Sequence, residues 1–248
     1  MIIKYFISYA DRLFSEGRDD LWSNPDTFIS IYSQGQRLIR SDILGIPVRE
    51  IYLNLLNRDE EIYNAWVGRK PTYALKKLLA LQEPKQYLKD VLSGLQNLYQ
   101  ESIPLVLFVS SPETWIRDLH EKLDPSESLK LNNRMIESSS MYLAEFLRNF
   151  STLGLSAIVI VEDEESNALN NVSYYEPMIN LSNHYKWLVG LEVHGAQTEL
   201  ESINDRIDFI LLKESNSSTI QSLRKENIAV GGGLDRGFWV NGEKSDNS

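Results

Sequence analysis

Charged and polar side chains follow three hydrophobic runs in the last quarter of the chain. The run WLVGLEV is followed by His194, the run IDFILL by Lys213 and Glu214, and the run IAVGGGL by Asp235 and Arg236. A histidine can transfer protons or orient an anion, and a lysine or an arginine can bind a carboxylate or a phosphate. We therefore predict that these residues contribute to one ligand-binding site.

Each of these residues also has an ordinary structural interpretation. His194 fits a hydrogen-bonded histidine at the rim of a sheet, and Lys213 with Glu214 fits an exposed ion pair of little energetic weight. Lys213, if buried, could instead form a Schiff base. Asp235 and Arg236 fit either a turn that needs positive φ or an anion clamp, because the glycines before them allow both. The sequence leaves these alternatives open.

An acidic cluster follows a fourth hydrophobic run. The residues EDEE at 162–165 come directly after AIVIV. A carboxylate at such a place can bind an amine or a pyrrole N–H, hold a cation, or act as a general base. Glu162 and Asp163 are therefore predicted as catalytic residues, together with His194. The alternative is a solvated acidic loop that caps the next helix.

Other aromatic and histidine residues are interpreted as structural. Tyr174, Tyr175 and Trp187 fit core or rim positions better than stacking platforms for a ligand. His120 and His184 lie in helix or loop contexts rather than at the end of a strand-like run. We expect none of the five to take part in chemistry.

Strand-like runs alternate with helical patterns along most of the chain. Hydrophobic runs predict strands at 105–109, 157–161, 187–193, 209–213 and 228–231. The starts of the last three lie roughly 20 residues apart, which is typical of βα units around a parallel sheet. In such sheets the ligand site lies just past the carboxyl ends of the strands, which is where the charged residues fall.

Helical periodicity predicts the elements between these strands. Helices are expected at 25–41, at 84–100, at 126–150 (as one long helix or two) and at 218–226. Gly154 is expected to follow the third of these as a left-handed cap. In the amino-terminal third, GIP at 45–47 predicts a break and 48–53 predicts a strand.

Composition excludes several classes of function. The chain of 248 residues has a formal net charge of −10, which disfavours a nucleic acid or an anionic membrane as the main partner. It contains no cysteine, which excludes disulfides, thiol nucleophiles and thiolate metal sites. We expect no metal and no organic cofactor. A small anionic organic ligand is the expected partner, and a homodimer or a partner protein is left open.

Length and the terminal segments predict how the chain is organised. Residues 1–240 are expected to form one domain, with a disordered tail at 241–248. The amino-terminal segment MIIKYFISYADRLF is too short and too interrupted to span a membrane. It also lacks the basic flank and the cleavage site of a secretion signal. The protein is therefore expected to be cytoplasmic.

Four stretches, taken in order, resemble the superfamily of uroporphyrinogen decarboxylase and cobalamin-independent methionine synthase. They are YLKDVLSGLQNLYQESIPLVLFVSSPETW, YLAEFLRNFSTLGLSAIVIVEDEES, the pair LEVHGA and IDFILLKES, and IAVGGGLDRGFW, which is similar to the decarboxylases' Gly-Asn-Leu-Asp-Pro element. Together they cover about residues 84–240. The resemblance implies an α/β fold of the TIM-type (β/α) barrel, which this chain would leave incomplete or irregularly closed at its carboxyl-terminal end. It also implies metal-free decarboxylase chemistry in the barrel mouth.

The chain departs from both branches of this superfamily at their catalytic motifs. It offers Arg37, Arg40 and Arg49 but not the decarboxylases' arginine-rich loop. Asp42, in SDIL, matches the decarboxylases' aspartate-bearing strand end, although pattern alone puts it in a helix. The methionine synthases hold zinc with histidine and cysteines, and this chain keeps at most His194 of that set.

The expected function is that of a lyase acting on a small carboxylate-bearing molecule. His194 or Glu162 would transfer the proton, and Arg236 and Lys213 would hold the anion, with Asp42, Asp163, Asp235 and Glu214 completing the site. One alternative is a degenerate barrel that binds a ligand or a partner protein without catalysis. Another is a zinc-less methyltransferase that works with a separate donor protein. Convergence of the site residues on one pocket would favour an enzyme.

Overall fold

The strands of the protein form one parallel sheet whose order follows the chain. The computed structural model describes residues 6–100, 102–126, 128–164, 172–194, 206–215, 217–225 and 229–234. Six strands pair in the order β1 to β6, and every pairing is parallel. They are β1 (Leu44–Pro47), β2 (Leu105–Ser110), β3 (Leu155–Val161), β4 (Leu188–Val193), β5 (Phe209–Ser215) and β6 (Val230–Leu234). The predicted parallel α/β sheet is therefore confirmed.

Helices connect the strands and cover one face of the sheet. They are α1 (Ile7–Phe14), α2 (Pro25–Ile39), α3 (Val48–Arg58), α4 (Glu60–Trp66), α5 (Pro71–Ala80), α6 (Gln82–Tyr99), α7 (Pro112–Leu123), α8 (Asn133–Leu147), α9 (Glu176–Tyr185) and α10 (Ser217–Lys225). Short 3₁₀ turns lie at Arg148–Phe150 and Val172–Tyr175. Among the described residues, no helix has the length and apolar composition needed to cross a bilayer.

The sheet curls into a half-barrel rather than a closed barrel. Its edge strands β1 and β6 do not pair with each other among the described residues. An eight-stranded (β/α) barrel closes by pairing its first and last strands. The structure thus agrees with an incomplete barrel and not with a full TIM barrel.

The two faces of the sheet bury different sets of side chains. Alternate strand residues pack against the helices in the main hydrophobic core, as Leu107, Ile158 and Leu191 do. The residues between them point to the concave face, where Val106, Phe108, Ala157 and Val159 form a second, small cluster. Because side chains alternate along a strand, the concave face also presents every second residue at the carboxyl ends of the strands.

The amino-terminal third differs from the sequence prediction. The predicted break at 45–47 is strand β1, and the predicted strand at 48–53 is the start of α3. The buried residues of α3 are Val48, Ile51, Tyr52, Leu55 and Leu56, which is a helical spacing. The six residues at 48–53 are too few to distinguish a helical period from that of a strand. Proline is tolerated at the end of β1, which is an edge strand of the described sheet.

The other predicted helices are close to those observed. The helix predicted at 84–100 is α6, which begins two residues earlier and holds Pro84 in its first turn, where no amide hydrogen is needed. The segment 126–150, predicted as one long helix or two, contains the single helix α8, which begins only at Asn133 and ends in a 3₁₀ extension. Gly154 has the expected positive φ, of 65°. The helix predicted at 25–41 ends at Ile39. The tail at 241–248 lies outside the described residues.

The glycines at 231–233 form strand β6 and not a turn. None of them has a positive φ. Gly233 lies against the neighbouring strand, because a Cβ atom built there would be 2.7 Å from the backbone carbonyl oxygen of Lys213. A Cβ atom at Gly231 would meet only the Cδ2 atom of Leu211, at 3.4 Å. The close approach of the β5 and β6 backbones therefore explains why position 233 holds a residue without a side chain.

Replacing Gly233 with alanine is expected to destabilise the protein, and replacing Gly231 is not. The methyl group of Gly233→Ala would push against a backbone atom, so the free energy of unfolding should fall by about 1–3 kcal/mol. Gly231→Ala, two residues away on the same strand, should stay within about 1 kcal/mol of wild type. Urea denaturation of both variants makes the comparison. Equal stabilities would show that β6 does not pack against β5 as described.

Buried tyrosines are expected to make the protein unstable in alkali. Burial raises the pKa of four tyrosines above the ordinary value of 10.0: Tyr32, Tyr52, Tyr87 and Tyr175. Above about pH 10 the unfolded chain releases these protons while the folded protein keeps them. The unfolded state then binds fewer protons, so the free energy of unfolding falls as pH rises, by up to about 1.4 kcal/mol per pH unit for each tyrosine.

Urea melts between about pH 8 and about pH 12 would measure this slope. Below about pH 10 both states hold these phenolic protons, and the tyrosines contribute no pH dependence. Tyr52→Phe should reduce the alkaline slope, because one of the buried phenols is removed. A free energy of unfolding that does not change with pH above about pH 10 would contradict the burial of these side chains.

Candidate functional site

A polar pocket of about 500 Å³ opens at the carboxyl-terminal edge of the sheet. Its walls come from the ends of β2 to β5 and from α3 and α7, the helices that directly follow β1 and β2. The charged and polar residues that line it are Arg49, Glu50, Ser110, Thr114, Arg117, Asp118, Glu121, Glu162, Asp163, Glu164, Glu192, His194 and Lys213. We refer to this cavity as the mouth pocket.

The mouth pocket brings together four of the residues singled out from the sequence. Glu162 and Asp163 follow β3, His194 follows β4, and Lys213 lies near the end of β5. Three neighbouring parallel strands thus deliver their terminal residues to one cavity, as expected for side chains at the carboxyl ends of such a sheet.

Of the remaining predicted site residues, Asp42 is described and lies away from the mouth pocket. Asp42 lies before the first residue of β1, so it is at the amino-terminal end of the strands, opposite the pocket. This corrects its expected place at a strand end that contacts the substrate. Asp235 and Arg236 lie outside the described residues, and so does the side chain of Glu214.

Backbone hydrogen bonds continue past the strand ends and fix the loops that carry the site. The amide of Ser111 donates to the carbonyl of Val161 at 2.8 Å, and the amide of Glu162 donates to the carbonyl of Glu192 at 3.0 Å. The hydroxyl of Thr114 accepts from the amide of Asp163 at 3.2 Å. The residues after β2 and β3 are therefore held by the same ladder that pairs the strands.

Glu162 is buried and accepts a hydrogen bond from a buried tyrosine. The hydroxyl of Tyr175 donates to Glu162 Oε1 at 2.6 Å, and only 2% of the glutamate is exposed. Burial, together with the negative charge of Glu162, raises the pKa of Tyr175 well above its ordinary value. Tyr175 therefore stays protonated in the folded protein and serves as a permanent donor to the carboxylate.

Two further glutamates near Glu162 are almost completely buried. Glu192 is 1% exposed and Glu113 is 3% exposed. Glu192 points from β4 into the mouth pocket, and Glu113 lies in the first turn of α7. Burying carboxylates costs free energy unless they are paired or hydrogen-bonded, so a group of them at one edge marks a candidate site for binding or catalysis.

His194 and Lys213 form a hydrogen-bonded pair at the other side of the pocket. Lys213 Nζ lies 3.0 Å from His194 Nε2, and His194 Nδ1 lies 3.6 Å from Glu164 Oε1. If the ammonium group donates to Nε2, the imidazole is neutral and carries its proton on Nδ1, which faces the glutamate. The pair then places one positive charge and one titratable ring at the pocket wall.

Both arginines of the mouth pocket are paired with carboxylates of the chain. Arg49 makes two hydrogen bonds of 2.6 Å to Asp118, from Nε to Oδ2 and from Nη2 to Oδ1. Arg117 Nη2 donates to Glu113 Oε1 at 2.6 Å, one turn away on α7. The first pair ties α3 to α7, because a two-point arginine–carboxylate contact also fixes orientation.

Carboxylates outnumber basic side chains in the lining. The seven carboxylates are those of Glu50, Asp118, Glu121, Glu162, Asp163, Glu164 and Glu192. The lining has three lysine or arginine side chains: the guanidinium groups of Arg49 and Arg117 and the ammonium group of Lys213. Lys213 is thus the only one of the three basic groups that is not ion-paired with a carboxylate among the described residues. The pocket is suited to a ligand that carries hydrogen-bond donors or positive charge as well as an anion.

Three residues of this site were not predicted from the sequence to contribute to it: Tyr175, Glu192 and Arg49. Tyr175 was interpreted as a core or rim aromatic, and it is indeed fully buried, but its hydroxyl contacts Glu162. Glu192 lies inside a hydrophobic run, where only the alternation of the strand indicates that it faces the pocket. Arg49 would have been found if the strand had been placed at 44–47, because Arg49 then follows a strand end.

Neither a metal-binding cluster among the described residues nor a match to a family model assigns a role to this pocket. Within the described ranges, no three histidine, aspartate or glutamate side chains are grouped closely enough to hold a metal ion. No protein-family model matches the chain, and no curated protein is significantly similar to it. The resemblance to the decarboxylase and methionine synthase superfamily therefore rests on the four sequence stretches alone.

Replacing Tyr175 with phenylalanine is expected to destabilise the fold. The change removes a donor from the buried carboxylate of Glu162, so the free energy of unfolding should fall by about 1–3 kcal/mol. Tyr52→Phe is the matched control, because the buried hydroxyl of Tyr52 has no hydrogen-bond partner among the described residues. Its removal should be neutral or slightly stabilising. Chemical denaturation near neutral pH compares the two, and equal losses would refute a special role for the Tyr175 hydroxyl.

Proposed function

We propose that the protein is an enzyme that acts on a small carboxylate-bearing molecule in the mouth pocket by acid–base chemistry of the lyase type. The observation that carries the proposal is the convergence of Glu162, His194 and Lys213 on one open polar cavity. They come from three different strands, and a pocket filled by apolar side chains would have argued against turnover. The resemblance to uroporphyrinogen decarboxylases supports the same chemistry.

The charges of the mouth pocket indicate what the substrate carries. Its carboxylate would bind Lys213, whose ammonium group is held beside His194. The excess of carboxylates elsewhere in the lining disfavours a substrate with negative charges alone. Glu192 would instead accept a hydrogen bond from an N–H group or bind a positive charge. We therefore propose a substrate that has a carboxylate and also an amine or a pyrrole-type N–H.

A decarboxylation needs one group to hold the anion and another to deliver a proton. The bond between the substrate carbon and its carboxylate breaks, CO₂ leaves, and the electron pair left on the carbon takes up a proton. Lys213 would hold a substrate carboxylate near the pocket wall. Glu162 or His194 would deliver the proton, since both are acid–base groups that line the same cavity.

Binding without turnover is the second candidate, and two observations favour it. The sheet is open between β1 and β6 among the described residues, so the mouth pocket is not enclosed on all sides by strands. Arg49 and Arg117 contact carboxylates of the chain itself and do not form the substrate-gripping loop expected of a decarboxylase. A binding protein would keep affinity for the ligand but would release no product.

The test is a screen of small carboxylates, with and without an N–H group, for binding and for release of CO₂. Wild type should bind members of the set that carry both groups. Lys213→Gln should weaken that binding about tenfold or more, because a charge-assisted contact is lost. The variants Glu162→Gln and His194→Gln should still bind the ligand. The variant that no longer releases CO₂ identifies which of the two residues donates the proton.

The matched control is Lys76→Gln, which removes an exposed lysine on α5, away from the mouth pocket. It should leave affinity and turnover unchanged. Tight binding of carboxylates with no release of CO₂ would favour the binding protein over the enzyme. If no carboxylate binds, or if Lys213→Gln binds as wild type does, the proposed function is wrong.

A further inference from the structure

A second cavity, of about 920 Å³, lies beside α7 and is separate from the mouth pocket. The helix borders both: Arg117 and Asp118 line the mouth pocket, whereas His120 and Asp124 line the second cavity. Its other walls come from the turn before α5 and from the segment that leads into α8. We call this space the basic cavity, for the side chains described next.

Four basic side chains and one carboxylate are found among the described residues that line the basic cavity. Arg69 and Lys70 come from the turn before α5, and Lys130 and Arg134 come from the entry to α8. Asp124 is the only acidic residue among the described residues that line it. None of the four cations forms an ion pair with a carboxylate of the described residues. They form a local positive field on a protein whose net charge is −10.

Backbone geometry adds to this positive field. Helix α5 begins at Pro71 with Lys70 as its N-cap residue, and no side chain caps its first amides. The first N–H group of the helix is that of Thr72, which lines the same cavity and has no backbone acceptor among the described residues. Gly68 has a φ of +70°, and a Cβ atom built there would have no neighbour within 4 Å. No side chain therefore covers the backbone at this position, which lines the cavity together with the four cations.

We propose that the basic cavity binds the phosphate group of a small phosphorylated molecule. Two guanidinium groups can each make a two-point contact with phosphate oxygens, and two ammonium groups add charge. The site is a concave space between helices and not a flat basic stripe, which favours a small ligand over a nucleic acid or a membrane surface. Nothing in the proposed acid–base function requires this cavity, so the site would be an additional one.

The test uses inorganic pyrophosphate as the probe, because it needs no assumption about the organic part of the ligand. Calorimetric titration of wild type should show binding that weakens as salt is added. Lys130→Gln/Arg134→Gln should lower the affinity roughly tenfold or more, because charge-assisted contacts are lost. Lys76→Gln/Lys77→Gln is the matched control, since both lysines are exposed on α5 and neither lines the basic cavity. This control should bind as wild type does.

Amide chemical shifts locate the site independently of the variants. Pyrophosphate should move the amide signals of Gly68 and Thr72 and leave those of Glu162 and His194 in place. Equal losses of affinity in the two double variants would overturn the proposal, because general charge and not the cavity would then bind the probe. Shifts confined to the mouth pocket would also overturn it, as would binding to anionic vesicles without binding to pyrophosphate.

Discussion

The parallel pairing of six strands in chain order is the constraint on which the rest of the structure depends. Each strand lies beside the one that precedes it in the sequence, so the residues that follow successive strands meet at one edge. Ser110, Glu162, His194 and Lys213 reach the mouth pocket in this way. Their distances in sequence are large, but the spacing of neighbouring strands is only about 5 Å. The same pairing leaves a concave face that six strands do not close.

The mouth pocket places charged groups where burial disfavours them. Glu162 and Glu192 are both nearly inaccessible to solvent, and a buried carboxylate is costly unless donors surround it. Tyr175 supplies one such donor, and it can do so at every physiological pH because its own pKa is raised. The arrangement is pre-organised, since the backbone ladder past β3 and β4 holds both glutamates before any ligand arrives.

Helix α7 borders two cavities of opposite character. On one side the mouth pocket carries an excess of carboxylates, and on the other the basic cavity carries an excess of lysine and arginine. Keeping the acidic and basic side chains in separate cavities preserves a local potential of one sign in each, whereas side chains of opposite charge placed together would neutralise each other. Arg117 and Glu113, paired within α7, and Arg49 and Asp118, paired between helices, anchor the acidic side of this division.

The sequence by itself determined the parallel α/β sheet and several residues of its edge, because unbroken apolar runs followed by charged residues have few other structural solutions. It identified Glu162, His194 and Lys213 for that reason. The sequence predicted a barrel that is incomplete or irregularly closed, and the tertiary structure decided between these in favour of a half-barrel. Only the tertiary structure decided that Tyr175 and Arg49 belong to the site. Those two residues come from segments whose local pattern indicates a core aromatic and a strand, and their roles depend on contacts with residues far away in the chain. Local periodicity records which side of an element is buried, but it does not record what lies against that side.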